Sequence, residues 1–88
     1  MARFEMAADT AEMALAAPNG DTFFQLGITY SSGLDVPPDL VAAHKWFNLA
    51  AMKGIIEAAR YRQEVAEELT AAQIAQAQRA AREWLSTH

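Results

Sequence analysis

Among the side chains able to do chemistry, His44 and His88 are the two histidines of an 88-residue chain that has no cysteine. Without thiols there is no disulfide staple, no thiolate nucleophile and no Cys-ligated metal. His44 lies in VAAHKWFNLAAMK, and no carboxylate stands three or four residues further on to complete a base or a metal-ligand pair. The expectation for such a lone helical histidine is partial exposure or a hydrogen bond within the fold. His88 is the terminal residue, where chains fray. Glu64, Glu67 and Glu68 could serve as a paired acid and base. Arg60 and Glu64 are spaced as an i,i+4 pair, however, and no apolar run encloses the cluster, so a solvated helix face is expected. GITYSSG, residues 27–33, lacks the lysine and the strand-to-helix setting of a phosphate loop. No catalytic, metal-ligating or cofactor-binding residue is assigned, and the chain reads as a protein without enzymatic activity and without a cofactor.

Side chains need elements to hold them, and the breakers in the sequence delimit those elements. Pro18-Asn19-Gly20, Ser31 to Pro38, Gly54 and the surroundings of Leu69-Thr70 divide the chain into four or five helices. Asp21 and Asp39 are placed to accept backbone N–H bonds as N-caps, and Thr70 with Gln73 has the spacing of a capping box. Apolar stripes of helical period follow each start. They comprise Phe23, Leu26 and Tyr30; then Leu40, Ala43, Phe47, Ala50 and Ala51; then Ala58, Tyr61, Val65 and Leu69; then Ile74, Ala77, Ala81, Trp84 and Leu85. No segment alternates with period 2, so the expected class is all-α in one domain over residues 1–88.

Composition narrows the partners. Hydrophobic residues make up 52% of the chain, much of it alanine, which suits helices that approach closely. The net charge of −4 and the absence of a basic cluster argue against nucleic acid, whose binding needs a positive face. Glu5, Asp9 and Glu12 interrupt the apolar N-terminal segment, so neither a signal peptide nor a helix on an anionic membrane is expected there. A cytoplasmic protein is the resulting expectation.

Internal repetition is the most specific pattern. Ala16-Ala17-Pro18-Asn19-Gly20 and Ala50-Ala51-Met52-Lys53-Gly54 share A-A-x-x-G at a spacing of 34 residues. Phe23, Leu26, Gly27 and Tyr30 are echoed 35 residues later by Ala58, Tyr61, Arg62 and Val65. Ala43-x-x-x-Phe47 is echoed by Ala80-x-x-x-Trp84. Gly27 stands inside a helical pattern, where glycine costs roughly 1 kcal/mol relative to alanine. The expected compensation is close approach of the paired helix that bears Ala43, Phe47 and Ala50.

Leu26-Gly27, Tyr30, Gly33, Val36, Asp39, Ala43, Trp46, Ala50-Ala51 and Gly54 together resemble the signature of the Sel-one-like repeat, a relative of the tetratricopeptide repeat. The departure inside this window is Asp35, which stands where the family has a second glycine. The resemblance implies antiparallel helix pairs in a short right-handed α-solenoid. It would comprise a degenerate half-repeat over 5–20, a complete repeat over 21–54 and a degenerate C-terminal capping repeat over 55–88. It further implies a protein-interaction or scaffold role. The alternative is a small regulatory effector that binds and modulates one enzyme or signalling protein.

Four residues are candidates for contact with a protein or peptide partner. Phe24 and Ile28 lie one face away from Leu26 and Tyr30, on the side that lines the concave groove in tetratricopeptide-like arrays; packing against a helix at residues 5–16 is the competing expectation. Trp46 sits about 100° around its helix from Phe47, so a neighbouring helix of the chain, the preferred reading, or a partner must cover it. Gln63 is the fourth. A homodimer through open solenoid ends is a further expectation, because such stacks need about three repeats for stability.

Overall fold

The computed structural model describes residues 19–88, which form four α-helices, and there is no strand among the described residues. The helices are α1 (Gly20–Ser32), α2 (Leu40–Met52), α3 (Ile56–Ala66) and α4 (Ala71–Thr87). The half-repeat expected over 5–20 lies, except for its last two positions, outside the described residues. So does the helix at 5–16 considered as a neighbour of Phe24 and Ile28.

Local chemistry explains where each helix begins and ends. The N-cap of α1 is Asn19, not Asp21: Asn19 has extended backbone, and its Oδ1 accepts from the Thr22 N–H at 2.9 Å. Asp21 falls instead inside the first turn, where a carboxylate favours the positive end of the helix dipole. At the other end Gly33 is left-handed, φ 74°, and its N–H donates to the Thr29 carbonyl at 3.1 Å. Asp35, in the following loop, is also left-handed at φ 69°. The Asp39 N–H then ties the loop back to the Tyr30 carbonyl at 2.9 Å, while its carboxylate caps α2 by accepting from Ala42 N–H. Beyond α2, the Ile55 N–H donates to Ala50 and the Gly54 N–H to Ala51, with Gly54 at φ 95°. This pair of bonds is the Schellman closure that a left-handed glycine permits. Thr70 and Gln73 form the expected capping box of α4, with both reciprocal bonds present.

Helix α2 is the hub, packing closely on α1, α3 and α4, whereas α3 and α4, though consecutive, do not pack closely on each other. Its position follows from its sequence, since apolar residues occupy more than one side. Toward α1 and α3, Ala43 and Phe47 are fully buried with Val65, and Tyr61, Leu40 and Leu69 pack around them. Toward α1, the first turn of α3 and α4, Leu49 and Ala50 join Phe23, Ala58 and Ala81, flanked by Trp46 and Trp84. Leu49 extends the buried surface of α2 beyond the single stripe that periodicity marks. Leu85, by contrast, is 39% exposed, although periodicity places it on the apolar stripe of α4.

Gly27 sits where α1 meets α2. A Cβ placed on it would lie 2.5 Å from Cδ1 and Cε1 of Phe47 and 2.9 Å from Cγ. The Phe47 ring cannot swing aside, being fully buried and in contact with the Phe24 and Tyr61 rings at centroid distances of 5.6 and 5.4 Å. The helical penalty of the glycine is thus offset by closure of the α1/α2 pair.

Candidate functional site

On α2, His44 and Asn48 are four residues apart and therefore share one face. Arg62 and Gln63 come from α3, Glu67 is the residue that caps α3, and Gln78 projects from α4 one turn beyond Ile74. These side chains line a cavity of about 480 Å³ at the corner where the three helices meet. Its existence follows from the packing, since α3 and α4 both lean on α2 without closing on each other. Across the corner Arg62 Nη1 donates to Asn48 Oδ1 at 2.6 Å, a short, charge-assisted bond.

His44 departs from expectation. It is 3% exposed, and its Nδ1 is buried without a hydrogen-bond partner. Neither partial exposure nor a bond at that nitrogen describes it, because the approach of α3 and α4 encloses the ring without supplying an acceptor or donor at Nδ1. Burial, and secondarily the Arg62 charge, holds the imidazole pKa below its ordinary value, so the ring is neutral at neutral pH. Most buried polar atoms in folded proteins are paired, which marks this one as a feature requiring a reason.

The four residues expected to meet a partner divide into two groups. Phe24 is half-buried, with its ring 5.1 Å from Tyr61 and 5.6 Å from Phe47. Ile28 packs against the Ala43-Phe47-Val65 cluster. Trp46 stacks on Phe23 at 5.8 Å and meets Trp84 edge-on at 5.9 Å, so neighbouring helices of the same chain cover much of it. Lys45 completes this edge, its ammonium 4.1 Å from the Trp46 ring centroid and its pKa lowered by burial. Gln63 alone is exposed, and it lines the His44 cavity. Sequence reasoning did not bring His44, Asn48 and Arg62 together. The i,i+4 spacing of His44 and Asn48 was visible, but nothing in the local pattern brings Arg62 to them across a turn.

A second, larger concavity of about 710 Å³ lies between the 33–39 loop and the α3–α4 turn. Its walls are mainly Tyr30, Pro37, Pro38, Leu40 and Leu69, with Glu68 at one side. Among the described residues no group of three or more His, Asp or Glu side chains could hold a metal ion, and no helix is long and apolar enough to cross a membrane. Comparison of the chain with protein-family models, with curated proteins and with solved structures finds no match to any of them.

Proposed function

We propose that the chain is a non-catalytic protein-interaction module built as a short right-handed stack of antiparallel helix pairs of the Sel-one-like type. The observation that carries this reading is the motif running from Leu26 to Gly54, whose in-helix glycine lies directly against Phe47 of the following helix. Left-handed Gly33, Asp35 and Gly54 agree with it, since each stands at a position where the motif calls for glycine. Met52 and Ile56, which flank the Gly54 turn, are 59% and 86% exposed and form an apolar edge suited to a protein partner or to a second copy of the chain.

The test uses the full chain as bait in its native cell, followed by reconstitution of each captured protein from purified components. A stoichiometric complex with micromolar or tighter affinity, weakened about tenfold or more by Ile56→Glu, is the expected result. Failure of every candidate to form a stoichiometric complex would overturn the reading. Sedimentation distinguishes the second-copy partner: a concentration-dependent dimer lost in Ile56→Glu supports it, and a monomer at high micromolar concentration contradicts it.

A further inference from the structure

The His44–Arg62 corner is not absorbed by that reading. It combines an enclosed ring with an unpartnered Nδ1, an arginine engaged by a neutral amide, and a cavity of about 480 Å³. We propose that this corner binds a small molecule through its oxyanion group, a carboxylate or a phosphate, held by the Arg62 guanidinium and by the side-chain amides of Asn48, Gln63 and Gln78. The proposal stands without the repeat assignment.

Guanidinium supplies five N–H donors in a planar fork that matches the two oxygens of a carboxylate or phosphate, and one of the five is engaged by Asn48 Oδ1. That bond fixes the fork in place before a ligand arrives. It also leaves the Asn48 amide nitrogen as a donor beside it. Gln63 and Gln78 bring further amide donors from α3 and α4, while Ala66 and Ile74 supply apolar wall for the body of the ligand. Arg62 and Glu67 are the charged groups lining the cavity with His44, and α4 contributes only the uncharged Ile74 and Gln78. Glu67 is exposed at the rim, where water and salt screen its repulsion. An anion seated at Arg62 would offset the guanidinium charge that His44 experiences, and so make protonation of the buried ring easier. Ligand binding and His44 protonation are thereby coupled.

The experiment is an NMR titration of the full chain with sodium succinate and, separately, with sodium phosphate, each against sodium chloride of equal ionic strength. Saturable shifts confined to Asn48, Arg62, Gln63 and Gln78, with an upward move of the His44 titration midpoint, are expected from at least one probe. Saturation by succinate identifies a carboxylate ligand and saturation by phosphate a phosphate one. Arg62→Gln should weaken binding at least tenfold, and Arg62→Lys, which keeps the charge but not the fork, by an intermediate factor. Thermal melting of both variants checks the fold, and should Arg62→Gln not fold, the Lys variant and Gln78→Ala carry the comparison. Failure of both probes to saturate, equal shifts with chloride, or unchanged affinity in the Arg62 variants would overturn the proposal.

Discussion

The α1/α2 seam and the corner between α3 and α4 end in opposite states. In α1/α2, Gly27 lets the backbone of one helix reach the Phe47 ring of the other, and that ring is fully buried. In α3, Arg62 reaches back to Asn48 of α2, α3 and α4 do not pack closely on each other, and a polar cavity occupies the corner. One seam is filled by an aromatic ring against a bare glycine backbone, and the other corner keeps a cavity lined by polar side chains. A missing Cβ admits a partner helix, whereas two helices that lean on a shared hub without packing on each other leave room between them.

The closed α1/α2 seam should give the largest effects. Phe47→Ala removes a fully buried ring that touches Phe24 and Tyr61, and should cost about 3–5 kcal/mol in urea denaturation. A loss below about 1 kcal/mol would mean that the α1/α2 seam is not what holds the fold. Gly27→Ala comes next. Alanine improves helix propensity by about 1 kcal/mol, but its methyl would overlap the enclosed Phe47 ring at a cost of about 1–3 kcal/mol. A net loss on the order of 1 kcal/mol is expected, and an unchanged or raised melting temperature would refute the close-contact account.

The open side should respond in the other direction. His44→Leu exchanges an enclosed ring with an unpartnered nitrogen for an apolar side chain of comparable size, which should stabilise the chain by about 0.5–1 kcal/mol at neutral pH. The pH dependence follows from the same residue. Its folded pKa lies below the unfolded value of about 6.5, so below that pH the unfolded chain binds more protons than the folded one. Stability is then complete above about pH 6.5, declines as pH falls below it, and levels off once the folded ring is also protonated. Melting curves of wild type and His44→Leu between about pH 7.5 and 5 should diverge in this window; parallel curves would count against a buried neutral imidazole.

How much of this was legible beforehand depends on whether the signal was local. The capping box at Thr70 and Gln73, the Asp39 cap and the Gly33 and Gly54 terminations rest on neighbours a few residues apart, and sequence reading locates them. The N-cap of α1 is Asn19 and not Asp21, a choice the sequence leaves open because both precede the first apolar residues closely and either an amide or a carboxylate oxygen can cap. Leu49 escaped because a hub helix buries more than one face, and a stripe search assumes one. The corner at His44 was hidden for a related reason. Its ring is enclosed by two helices that lie later in the chain, and an exposed-or-bonded expectation for a lone histidine cannot anticipate enclosure without a partner. Trp46 was readable in part, since its offset from Phe47 demanded another neighbour, and Phe23 and Trp84 are that neighbour.

The most direct test sets Gly27→Ala against Arg62→Ala in matched urea denaturations of the full chain. Gly27→Ala adds a methyl against a buried ring, whereas Arg62→Ala removes the side chain that spans the α2/α3 corner. The account predicts that Gly27→Ala loses on the order of 1 kcal/mol or more, while Arg62→Ala, which forfeits one hydrogen bond but relieves the charge beside His44, stays within about 0.5 kcal/mol of wild type. Equal losses, or a larger loss at Arg62, would contradict the contrast between a closed α1/α2 seam and an open corner at Arg62.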